Sequence, residues 1–237
     1  MRKKYALRMI VACCLLLFIC CANAQAEWEL VFEENFDGTS VDVDTWNMYY
    51  GKGHVGNSLR RPEAFSIEDG LLAVTAQMKD GQLVSGGMAH RVNYTYGKFE
   101  FRVRTEKDPS LATSGVVLTW PKSGKWPIDG ELDIYETMTN GQRNPFYTVL
   151  HYGADNQQIE FKHHIDATQW HIIAMEWFPD VIHIFRNGEL VYTCTEQEAI
   201  PQVPHHICIQ LDAFKTEMTE PVKMYVDWVK IYQQVKN

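Results

Sequence analysis

Beyond residue 21 this 237-residue chain has only two cysteines, Cys194 and Cys208; the other four, Cys13, Cys14, Cys20 and Cys21, crowd its start. No zinc-spaced cysteine set is present, and neither is a Gly-rich phosphate loop or a nucleophilic serine elbow. No repeat of 20–50 residues and no low-complexity linker interrupts residues 27–237, which excludes a solenoid and argues for one domain. Long helical periodicity is missing too, and so is an excess of positive charge: 22 Lys and Arg stand against 30 Asp and Glu.

The first residues differ from the rest. Arg2, Lys3, Lys4 and Arg8 precede an apolar run over 9–20, which closes on the small residues Ala22-Asn23-Ala24, with Ala24-Gln25-Ala26 as a competing cleavage pattern. The run is short for a membrane span, so residues 1–24 read as a cleaved signal peptide and 25–237 as a single domain, secreted or periplasmic. Lipid attachment at Cys20 or Cys21 is the lesser alternative, because Phe18-Ile19 is bulky before a lipoprotein cleavage site. Cleavage leaves 18 basic residues against 30 acidic ones and moves the formal charge from −8 to −12. Such a surface repels nucleic acid and anionic membranes, and makes neutral glycans easier ligands than strongly anionic ones. Cys194 and Cys208 either pair in an oxidising compartment or stay as buried thiols.

Short alternating or apolar runs separated by Gly, Asn, Asp and Pro recur along the chain. In 97–104, Phe99, Phe101 and Val103 share one face while Lys98, Glu100, Arg102 and Arg104 share the other, the period of a half-buried strand. Strands are expected at 71–75, 115–120, 131–136, 147–152, 170–178, 208–211 and 224–232. Asn187-Gly188 predicts a tight hairpin between 181–186 and 190–193. Many strands and few helices indicate an all-β sandwich of two antiparallel sheets, whose aromatic residues can line a groove.

The sharpest signal is Glu131-Leu132-Asp133-Ile134-Tyr135-Glu136. In a regular strand Glu131 and Asp133 share a face, but Glu136 falls on the other. A β-bulge near Ile134-Tyr135 brings it back. Three acids on one strand face repel and raise one another's pKa. Glycoside hydrolysis uses such an arrangement: one carboxylate attacks the anomeric carbon and another holds the proton for the leaving oxygen, about 5–5.5 Å apart in a retaining enzyme. Glu131 is assigned as nucleophile, Asp133 as the assisting acid and Glu136 as general acid/base. A solvated acidic face, or a calcium site made from the same oxygens, is the competing reading of the acids alone.

These residues resemble glycoside hydrolase family 16, the laminarinase and β-glucanase group, through its E-x-D-x-x-E signature. Residues 30–38, 96–102, 170–177 and 226–229 are similar to further family segments in the same order. The resemblance implies a concanavalin-like jelly-roll sandwich with a concave substrate cleft, a retaining endo-hydrolase and the same three acid roles. It implies a sugar platform at Trp126 and a histidine, His151, close to the catalytic strand, placed to hydrogen-bond to substrate or to Glu136. It also implies a calcium site using the backbone of Gly70 and the side chain of Asp227. Trp120 divides between core and cleft, and Asn57, Arg60 and Arg61 lie in a loop whose counterparts border the groove. Ser85-Gly86-Gly87-Met88 lacks an arginine common in laminarinases after this Ser-Gly. The adjacent histidines 163–164 and 205–206 point to opposite strand faces and are expected to be solvent-exposed rather than metal-binding.

The expected activity is endo-hydrolysis of a β-1,3- or mixed β-1,3/1,4-glucan by a monomer that requires no cofactor. Its alternatives are a galactan substrate of agar, carrageenan or porphyran type, net transglycosylation, and a non-catalytic carbohydrate-binding module.

Overall fold

The computed structural model describes residues 27–235; the signal segment and Cys20 and Cys21 lie outside them. Eighteen strands follow in chain order: β1 Trp28–Glu34, β2 Trp46–Met48, β3 Gly51–Lys52, β4 Leu59–Arg60, β5 Phe65–Glu68, β6 Leu71–Lys79, β7 Gln82–Ser85, β8 Gly87–His90 and β9 Gly97–Thr105. The second half holds β10 Thr113–Pro121, β11 Glu131–Glu136, β12 Phe146–Tyr152, β13 Gln157–His163, β14 His171–Trp177, β15 Ile182–Arg186, β16 Glu189–Cys194, β17 His205–Ala213 and β18 Val222–Gln234.

They form two sheets. Seven strands run in the order β13-β12-β11-β10-β17-β8-β2. Eleven make the other sheet, whose main path is β16-β15-β14-β9-β18-β6-β7-β4-β3. The core lies between them, and the expected alternation holds: Phe99, Phe101 and Val103 of β9 are fully buried, while Lys98, Glu100 and Arg102 face outward. Each such buried side chain contributes about 1.5–3 kcal/mol of transfer free energy. Asn187 and Gly188 both have positive φ, 52° and 83°, the two-residue turn that matches strand twist between β15 and β16. No helix of the described residues is long and apolar enough to cross a membrane.

A buried arginine fixes the segment after β11. Arg143 donates to the carbonyl oxygens of Glu106 and Thr113 and to the hydroxyls of Thr113 and Thr137, and lies 4.0 Å from the Asp108 carboxylate. The turn leaving β11 is therefore tied to β10 and to the loop after β9.

The histidine pairs depart from expectation. His163 and His205 are fully buried, because each sits on the inward side of its strand and finds partners there. The His163 Nε2 meets the Thr148 hydroxyl at 3.0 Å. His205 bonds the Thr119 hydroxyl through Nδ1 and the Asp129 carbonyl through Nε2, both at 3.0 Å. Burial holds both rings neutral, lowering their pKa values to about 3 and about 4. Cys194 and Cys208 are buried free thiols in different sheets.

Candidate active site

A cleft of about 920 Å³ opens on the outward face of the seven-stranded sheet. Its floor is made by alternate residues of neighbouring strands: Val116, Leu118 and Trp120 from β10, Glu131, Asp133 and Glu136 from β11, Val149 and His151 from β12, and Cys208, Gln210 and Asp212 from β17.

The three acids reach one face through the bulge expected from their spacing. Against β10, Asp133 and Tyr135 oppose the consecutive residues Leu118 and Val117. Against β12, Asp133 and Glu136 oppose Val149 and Tyr147. One extra residue is absorbed at Ile134-Tyr135, whose side chains both enter the core. Tyr135 is anchored there by a 2.8 Å bond between its hydroxyl and that of Thr105 on the facing sheet.

Each acid meets a different environment. The Trp126 indole N–H donates to Glu131 Oε2 at 2.6 Å. Asp133 Oδ2 lies 3.1 Å from His151 Nε2, so the partner of this histidine is Asp133 rather than Glu136: His151 stands directly across from Glu131 and diagonal to Asp133 on the same face. The Glu136 carboxyl has no hydrogen-bond partner among the described residues. Burial holds all three well above the ordinary carboxylate range. The Asp133 charge is the next cause for both glutamates and the His151 charge pulls both back toward ionisation, but only Glu131 is drawn back further, by the Trp126 N–H. Glu131 alone has a donor suited to its anionic form, and Glu136 has none.

Trp126 and Trp120 lie nearly parallel, with ring centroids 6.4 Å apart and an interplanar angle of 8°. Trp126 keeps 41% of its surface exposed at the cleft edge, which suits a stacking platform. The segment leading from it to Glu131 is pinned by the His205 bond to the Asp129 carbonyl and by the Ser123 hydroxyl on the Asp129 carboxylate.

At the other end of the cleft the loop residues divide. Arg60 lines it, ion-paired with Asp212 and set 5.3 Å from the Tyr49 ring centroid. Arg61 turns away, donating to the Gly51 carbonyl at 3.1 Å and stacking on Tyr50 at 4.2 Å, because successive strand residues point to opposite sides. Asn57 supports the wall from behind through a 2.9 Å bond to the Phe214 carbonyl. Ser85 ends β7 and Gly87-Met88 opens β8, with Gly86 between them: Ser85 bonds the Leu211 carbonyl, and at Gly87 a Cβ would meet the Tyr49 ring at 2.7 Å. Glycine there lets that ring lie on the cleft floor. Sequence reasoning placed Arg60 in the loop bordering the groove without setting it apart from Arg61, and missed Asp212.

The two expected calcium donors sit elsewhere. Gly70 is in the turn between β5 and β6, and the Asp227 carboxylate accepts from the Arg102 guanidinium. A fixed cation already stands beside the only charged donor of the pair, so these residues do not fit a calcium ion while that ion pair is made.

The family model for glycosyl hydrolases family 16 matches residues 43–230. A glucan endo-1,3-beta-glucosidase of Cryptopygus antarcticus is 29% identical over 210 residues, spanning 75% of this chain and 73% of that protein. A beta-glucanase of Brevibacillus brevis is 28% identical over 226 residues, spanning 87% and 83%. The catalytic domain of an endo-1,3-beta-glucanase (laminarinase) from Thermotoga petrophila RKU-1 superposes with a TM-score of 0.78 at 20% identity, over 90% of this chain and all of that one. With the family model covering most of its length and three acids gathered by a bulged strand in an open cleft, the chain belongs to glycosyl hydrolases family 16 and is a glycoside hydrolase.

Proposed function

We propose that the protein is an exported, retaining endo-β-glucanase that cuts β-1,3- or mixed β-1,3/1,4-glucan. The observation that carries the mechanism is the unequal treatment of Glu131 and Glu136. Glu131, with the Trp126 N–H on its oxygen, is the carboxylate that attacks the anomeric carbon. As the glycosidic bond breaks, Glu136 passes its proton to the leaving oxygen. A water then attacks the glycosyl–Glu131 ester, losing its proton to Glu136 as the carboxylate of Glu131 departs. Burial and the neighbouring acids keep Glu136 protonated above the usual range, so it remains an acid near neutrality and is lost as pH rises through its elevated pKa.

The names of the two relatives support a glucan substrate. The cleft adds a charge argument: Glu131, Asp133, Glu136, Glu160 and Asp212 face Arg60 and His151, an acidic balance that disfavours sulfated galactans. Digestion of laminarin, lichenan, agarose and carrageenan, read by new reducing ends and product length, tests the proposal. Short laminarin or lichenan oligosaccharides are expected. Cleavage of a galactan alone would overturn the substrate, and no new ends on any polymer would overturn catalysis.

A further inference from the structure

Behind the catalytic acids lies a chain of contacts with a polarity of its own. His151 presents Nε2 to Asp133 Oδ2 at 3.1 Å, and its Nδ1 lies 2.8 Å from Asn156 Oδ1. An amide oxygen only accepts, so that short contact places a hydrogen on Nδ1. Nε2 then faces a carboxylate either as an acceptor from protonated Asp133 or as the second N–H of an imidazolium. In both forms the pair carries a second proton, between Nε2 and Asp133, and no net charge; the opposite tautomer, with Nε2–H on an ionised Asp133, would carry one proton and a negative charge. The other contact at Nδ1 opposes this: the Gln158 amide nitrogen, at 3.3 Å, favours the tautomer with a bare Nδ1. The shorter contact is the stronger one.

Asn156 is well placed for this task. It occupies a left-handed position, φ 53°, in the turn between β12 and β13, which Asn adopts readily. That turn sets its side chain against the edge of the imidazole, away from the reacting bond.

We infer that Asn156 is a positioning residue that keeps a hydrogen on His151 Nδ1, so that the His151–Asp133 pair holds a second proton, shared between Nε2 and the carboxyl, beside the nucleophile. With that proton in place, Glu131 ionises next to a pair of zero net charge. Without it, Asp133 adds a second uncompensated negative charge, and one of the neighbouring glutamates must take up a proton. If Glu131 takes it, the nucleophile is lost. The other charged groups around the pair are Glu131 and Glu136 on the same strand, Glu160 on β13, and Asp212 with its partner Arg60 across the cleft. Four acids and one arginine make the local field strongly proton-retaining.

This inference rests on the proposed role of Glu131, so its test has two arms. The first needs no substrate: two-bond ¹H–¹⁵N spectra of the His151 ring in the full protein. A protonated Nδ1 is expected in the wild type, persisting in Asn156→Asp and lost in Asn156→Gly, which keeps the left-handed backbone. A wild-type ring with bare Nδ1 and protonated Nε2 overturns the inference, whatever the protein hydrolyses. The second arm is the pH profile of kcat/KM on laminarin. The alkaline limb is expected to move up by about one pH unit in Asn156→Asp, where an added charge holds the proton, and down in Asn156→Gly. A purely structural role would alter the folded fraction and leave both limbs in place, which would also overturn the inference.

Discussion

Two grooves of similar size lie on the outward faces of the two sheets, and they treat their acids in opposite ways. On the eleven-stranded sheet a groove of about 810 Å³ includes Glu100 and Glu176, and Lys98 lies 3.9 and 3.6 Å from their carboxylates. On the seven-stranded sheet the cleft holds Glu131, Asp133 and Glu136, and no lysine lines it among the described residues. The one arginine lining it is engaged by a fourth acid, Asp212. Paired surface charges are cheap and contribute little. Acids withdrawn from water without a fixed cation cost stability, and the protein keeps Glu131 and Glu136 half-buried in that state, with Asp133 buried beside His151, where a proton must be held and released. The contrast locates the chemistry more sharply than groove size does.

Breaking the cleft side of this contrast has the largest expected effect. Glu131→Gln should lower turnover of laminarin by roughly 10⁴-fold or more while glycan binding persists, measured by reducing ends and by retention on the polymer. Glu136→Gln should cost about 10²–10⁴-fold on the natural linkage, and much less on an aryl glycoside whose leaving group needs no proton. Equal losses on both substrates would remove Glu136 from the acid role.

Asp133→Asn sharpens the cost of frustration. Because burial raises the Asp133 pKa from 3.8 to about 8, the folded state binds its proton more tightly than the unfolded one. The stability contributed by that proton is full below the unfolded pKa and is lost as pH rises through about 8. At pH 8 the Asn variant should therefore melt higher than wild type, by about 2–4 °C for each kcal/mol regained, with no advantage at pH 3. A lower melting temperature at both pH values would contradict the argument. On the paired groove, Lys98→Ala should change activity by less than about twofold and stability by no more than about 1 kcal/mol.

Much of this was legible because the signals were local. The bulge follows from the count of residues between Glu131 and Glu136, and the Asn187-Gly188 hairpin follows from backbone sterics. What escaped depends on distant partners. Asp212 enters the cleft only because β17 pairs with β10, and Arg60 rather than Arg61 reaches it because β4 runs beside β7. His205 reads as a surface histidine until Thr119 and the Asp129 carbonyl are brought to its ring. Asn156 looks like any turn asparagine until the hairpin from β12 to β13 folds it against His151.

The bulge has a consequence for how this strand tolerates change. Deleting one residue between the glutamates would leave all three acids aligned on a regular strand, yet it would remove either Ile134 or Tyr135 from the interior. The vacancy would be that of a whole large side chain, which costs several kcal/mol unless the opposite sheet refills it. The spacing of the catalytic acids is therefore enforced from the dry side of the strand. A chimera that transplants this motif must carry Thr105 and its neighbours on β9 along with it.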